Sequence, residues 1–112
     1  MSFRILLSMC LSFGVAVYEM EASCQDKVYN DCKVLSDKLG CKSHYCMRAL
    51  ATGDYEHYLC HVDDCSTRMQ LGKCSDSLKN LCDSTVCAPN NLQPQECSTR
   101  TNNMDCTCDL NG

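Results

Sequence analysis

Cys24-Gln25-Asp26-Lys27-Val28-Tyr29-Asn30-Asp31-Cys32 and Cys74-Ser75-Asp76-Ser77-Leu78-Lys79-Asn80-Leu81-Cys82 lie on one another as CxDxhxNxC, where h is aliphatic. A second match follows in the same order. Cys65-Ser66-Thr67-Arg68 has eight residues between its cysteine and Cys74, as Cys97-Ser98-Thr99-Arg100 has eight between its cysteine and Cys106. Self-similarity of this kind points to duplication. The units it suggests are a longer one, 24–74, and a shorter one, 74–106, which differ by the segment around Met47 to Tyr58.

Working outward from the repeat, Cys24, Val28, Cys32, Leu35 and Leu39 fall at spacings that line one face of a helix. Asp26 sits in its first turn, where a carboxylate favours the positive end of the helix dipole, and Gly40 follows as the stop. The same rules predict a short helix over 43–51 that ends at Thr52-Gly53. They then predict a longer helix capped by Asp54 and carrying Tyr55, Leu59, Val62, Cys65 and Met69. The second unit opens with a helix striped by Cys74, Leu78, Leu81, Cys82 and Val86, which Pro89 closes. Residues 88–112 are rich in Asn, Gln, Thr and Pro and read as loop. The expected class is therefore all-α: a small disulfide-rich domain of short cross-linked helices with an irregular C-terminal tail.

Arg4 precedes the apolar run Ile5 to Val17, with small residues at Ala16 near its end and at Ala22 beyond it. A basic start, a short apolar stretch and a small residue before a cut are the parts of a signal peptide, and the run is too short for a membrane span. The signal is read as 1–22. Ala16, with Gly14 two residues before it, is the alternative cut. The expected mature domain is 23–112, secreted to the extracellular space.

Of the thirteen cysteines, Cys10 leaves with the signal. The remainder are Cys24, Cys32, Cys41, Cys46, Cys60, Cys65, Cys74, Cys82, Cys87, Cys97, Cys106 and Cys108. An even, dense set behind a secretory signal reads as a disulfide framework of about six bridges. The chain has no Trp, and both phenylalanines lie in the signal, so apolar burial is thin and cross-links are expected to make up the difference. Heat resistance that vanishes on adding reductant is the corresponding expectation, checked by thermal melts with and without a thiol.

Removing Arg4, Glu19 and Glu21 with the signal leaves nine basic against twelve acidic residues, a net charge of −3. No basic run suited to phosphates or anionic lipid is present, which disfavours nucleic acid and membrane insertion. His57 and His61, four apart on the predicted helix, form a geometry that can hold zinc. Glu56 precedes the first histidine rather than following it, so the zinc-protease pattern is missing and no metal or other cofactor is expected. Cys106-Thr107-Cys108 reads as two half-cystines with different partners. No catalytic residue is assigned.

C-x-D opening a helix, Gly40-Cys41, and Cys82-x4-Cys87-x9-Cys97 together resemble the sea-anemone ShK-type toxin domain. That resemblance implies a short-helix disulfide module acting on an extracellular target, potassium channels above all, through an exposed lysine near an aromatic residue. Lys42 and Tyr45 stand where that pair would fall, and Arg48 joins them as a candidate contact. The resulting expectation is a non-enzymatic, toxin-like polypeptide that binds the outer face of a channel or receptor. The alternative is an endogenous secreted signalling or recognition protein of the pheromone or growth-factor kind, and a secreted enzyme, zinc-dependent or otherwise, is the distant third.

Overall fold

The computed structural model describes residues 24–51 and 55–110. The signal segment, the Thr52-Gly53 stop and the Asp54 cap lie outside them. Helix α1 (Asp26–Lys38) is followed by strands β1 (Cys41–Ala51), β2 (Tyr55–Cys65) and the short β3 (Gly72–Lys73). Next come helix α2 (Asp76–Cys82), a π-helical segment (Asp83–Cys87) and a 3-10 turn (Ala88–Asn90). Strands β4 (Gln93–Thr99) and β5 (Met104–Asp109) complete the order. The strands form one antiparallel sheet in the order β1-β2-β5-β4-β3.

The all-α expectation is therefore corrected to a mixed α/β fold, and the helical ShK-type architecture falls with it. Where helices were expected over 43–51 and from Tyr55 onward, the chain builds β1 and β2. Where a loop tail was expected, it builds β4 and β5. The physical reason lies in period 2. Tyr58, Cys60 and Val62 on β2, and Met104, Cys106 and Cys108 on β5, are buried, while the residues between them point to the other face. Cysteine is among the most buried residue types, so each half-cystine counts as apolar in this alternation. Val62 then stands directly opposite Met104, both wholly buried.

Helix α1 forms as its stripe requires. Val28, Cys32, Leu35 and Leu39 are buried, while Tyr29 and Val34 face outward. Gly40 has φ +68°, a backbone conformation that favours glycine, and a Cβ there would meet the Ser66 hydroxyl. Directly beyond, Ser66 N–H donates to Gly40 O and Thr67 N–H to Leu39 O, tying the helix end to the exit of β2. In α2 the Ser75 hydroxyl accepts from Leu78 N–H as an N-terminal cap.

Six disulfides join the twelve cysteines within two consecutive sets. Cys24–Cys46, Cys32–Cys60 and Cys41–Cys65 link the first. Cys74–Cys97, Cys82–Cys106 and Cys87–Cys108 link the second. Each set pairs its first cysteine with its fourth, second with fifth and third with sixth. Cys46, Cys60, Cys106 and Cys97 stand opposite one another across β1, β2, β5 and β4. Each is bonded to a cysteine at the start of, or on, the helix of its own set. The matched segments 24–32 and 74–82 are thus structurally equivalent. The second sequence match is not: Cys65 closes β2, whereas Cys97 lies inside β4 in the role of Cys46.

The third bridge differs between the sets. Cys41 and Cys65 are cross-strand partners at the ends of β1 and β2, whereas Cys87–Cys108 ties the π-helical segment to β5. Cys106 and Cys108, two apart, share one face of β5, so their partners must share one face of the helix. Residues five apart stand about 140° apart on an α-helix at 3.6 residues per turn. The wider π turn over Asp83–Cys87 brings Cys87 round to the face of Cys82. The two sets share one core, with Lys38 Nζ donating to Thr85 Oγ1 and Asn90 Nδ2 to Asp31 Oδ2.

Because Leu35 is fully buried while its neighbour Val34 is exposed, Leu35→Ala is expected to cost about 3 kcal/mol. Val34→Ala should cost less than about 0.5 kcal/mol. Denaturant unfolding under non-reducing conditions checks this, and equal losses would contradict the assigned helix face.

Candidate functional site

Because both helices bond to the row of cysteines on one side of the sheet, the sheet has a covered face and an open one. Alternation places Tyr45 and Met47 of β1, His57, Leu59 and His61 of β2, and Asp105, Thr107 and Asp109 of β5 on the open face. Tyr45, His61 and Asp105 fall in one cross-strand row. The Tyr45 ring stacks on His61 with centroids 4.8 Å apart at 25°. His61 Nδ1 lies 2.5 Å from Asp105 Oδ1, and a carboxylate only accepts, so Nδ1 carries the proton and donates. His57 Nδ1 makes the same bond to Asp109 Oδ1 at 2.9 Å. Met47, Leu59 and Thr107 lie in the row between the two pairs.

This arrangement holds an aromatic ring still. Asp105 orients the His61 imidazole, and the imidazole backs Tyr45, which remains 47% exposed. Met47 beside it is 37% exposed, and together they form an apolar patch on a cross-linked sheet.

The zinc geometry is corrected by the same strand. Four residues apart on β2, His57 and His61 share a face but stand about 13 Å from each other, too far to bind one ion together. A second cluster, Cys82, Cys87 and Cys106, places its sulfurs within 4.8 Å of one another. All three are committed to disulfides, whereas metals take the thiolate, so this cluster is a crossing of two bridges rather than a ligand set.

The three contact residues read from the sequence do not form one patch. Tyr45 is on the open face, whereas alternation puts Lys42 and Arg48 on the other side of β1. Lys42 is exposed. Arg48 is half-buried, its guanidinium 3.3 Å from Glu56. Tyr29 is exposed on α1 and leans against His44, ring centroids 5.3 Å apart. Arg68 and Arg100 are exposed beyond the strand ends. The residues that reasoning from the sequence missed are Asp105, Asp109 and Met47. Only the long-range pairing of β2 with β5 brings the two carboxylates to the histidines, and no local signal announces it.

No protein family's sequence profile, no curated protein and no solved structure matches the chain. With the helical ShK-type fold overturned, the toxin and channel-impairing character drawn from that resemblance is withdrawn as well.

At the distal end of β2, Glu56 accepts from the Tyr58 hydroxyl at 2.9 Å while also pairing with Arg48. Burial, followed by the hydrogen bond to Glu56 and its negative charge, pushes the Tyr58 phenol above its ordinary 10.0, with Arg48 pulling slightly the other way. A raised folded value favours the neutral phenol, so this contribution to stability is complete below pH 10.0 and is lost as pH rises through the folded value. Tyr58→Phe is expected to remove a phenolate transition lying above pH 10.0 in an ultraviolet titration. A curve whose late phase survives the substitution would contradict the assignment.

Proposed function

We propose that this chain is a secreted recognition protein that binds the extracellular part of a membrane protein through the open sheet face around Tyr45. The observation that carries the reading is the Tyr45–His61–Asp105 row. An exposed aromatic ring is fixed in place by a stacked imidazole, itself held by a carboxylate, on a sheet bonded to both helices. Large rings held in advance of contact lose little entropy on binding, and tyrosine is enriched among the residues that dominate interface energies.

Secretion is supported by the chemistry of the cysteines. Six intrachain disulfides form and persist in oxidising compartments, and the apolar stretch after Arg4 fits an export signal. No helix among the described residues is long and apolar enough to cross a membrane.

The test is equilibrium binding of the labelled, oxidised protein to cells that retain or lack their surface proteins after protease treatment. Binding is expected to be saturable and protease-sensitive. Tyr45→Ala is expected to weaken it by about ten-fold or more while leaving the melting temperature unchanged. Full affinity in Tyr45→Ala would remove the open face from the account.

A further inference from the structure

The two edges of the sheet are built differently. On one side β4 is blunted by three devices: β3 pairs with Ser98 and Thr99, Pro94 lacks an N–H, and the register slips between Pro94 and Glu96. On the other side β1 runs for eleven residues with no proline, and it is in unbroken register with β2 from Ser43 to Ala51. Among the described residues no strand pairs with the outer edge of β1. Alternate backbone N–H and C=O groups of β1 therefore point away from the sheet as a template for a further strand.

Charge narrows the occupant. The chain carries a net −4, yet β1 has Lys42, His44 and Arg48 and no carboxylate. By contrast, β2 carries Glu56, Asp63 and Asp64, β4 carries Glu96, and β5 carries Asp105 and Asp109. Among the described residues Lys42 makes no ion pair, while Arg48 shares its charge with Glu56. A second copy fits poorly. In an antiparallel β1–β1 pair centred on Tyr45, Lys42 of one copy would stand opposite Arg48 of the other, and like charges directly opposed destabilise a sheet.

We propose that the free edge of β1 accepts an extended acidic segment of a partner protein as a sixth strand. Lys42 and Arg48, six residues and about 20 Å apart on one side of the strand, meet carboxylates at matching spacing. Tyr45 and Met47 pack against the alternate side chains on the open face. This rests on the reading of the chain as a protein-binding module and names the chemistry of its partner.

The probe is a capped peptide of about seven residues, Val and Thr in alternation with Glu at both ends. It is titrated into the isotope-labelled, fully oxidised protein and followed by backbone amide shifts and hydrogen exchange. Shift changes and slowed exchange are expected to concentrate on β1. Affinity should fall about five-fold in Lys42→Glu, fall likewise for the same peptide ended in Lys, and vanish when alternate peptide nitrogens are methylated. Undisturbed β1 amides, equal binding of the Lys-ended peptide, or a dimer with protected β1 amides before any peptide is added would each overturn the proposal. The outcome is read on β1 amides of purified protein. It therefore stands apart from the cell-binding assay, where an unaffected Tyr45→Ala variant sinks the open-face reading alone.

Discussion

Four half-cystines in a row across the sheet, Cys46, Cys60, Cys106 and Cys97, anchor the rest of the molecule. Each is bonded to a cysteine at or beside the start of a helix or on it, so the row fixes both helices on one side of the sheet and leaves the other side open. Apolar burial alone is sparse. Among the described residues the largest fully buried side chains are Leu35, Met104, Val62 and Val86, followed by cysteines. The bridges close loops with sequence separations of 21 to 28 residues, for which chain-entropy arguments assign about 3 kcal/mol each, without additivity. Cystine here acts both as cross-link and as core.

That double role explains which parts of the fold were legible in the sequence. Helix α1 was readable because Val28, Leu35 and Leu39 mark its stripe around the cysteines, and Gly40 ends it at a residue whose positive φ favours glycine. The strands were not, because Met104-Asp105-Cys106-Thr107-Cys108 alternates cleanly only if its cysteines are counted as buried apolar positions rather than as tethers on a loop. In β2 the spacing Tyr55, Leu59, Val62 imitates a helical stripe, although Leu59 and Val62 emerge on opposite faces of the strand. Of the two sequence matches, the segments 24–32 and 74–82 hold like places in the fold, whereas Cys65 and Cys97, with identical neighbours, sit in unlike ones.

The candidate site shows the same limit. Tyr45 entered the sequence reading as the aromatic partner of Lys42 in the ShK-type resemblance. Its support was not legible, because Asp105 lies 44 residues beyond His61 and meets it only through the β2–β5 pairing. This central pairing also sets Cys60 opposite Cys106 and joins the two disulfide sets into one sheet with one shared core. A surface spread over three strands from both sets is held as one rigid body, which is what a recognition surface gains from a scaffold built this way. The same connectivity leaves β1 at the margin, so its exposed edge follows directly from the order of the strands.

The most direct test of this account is disulfide mapping of the natively folded protein, by proteolysis without reduction and mass spectrometry of the linked peptides. The account predicts Cys24–Cys46, Cys32–Cys60 and Cys41–Cys65 in the first set, and Cys74–Cys97, Cys82–Cys106 and Cys87–Cys108 in the second. A bridge joining a cysteine at or before Cys65 to one at or after Cys74 would contradict it, as would free thiols at Cys60 or Cys106.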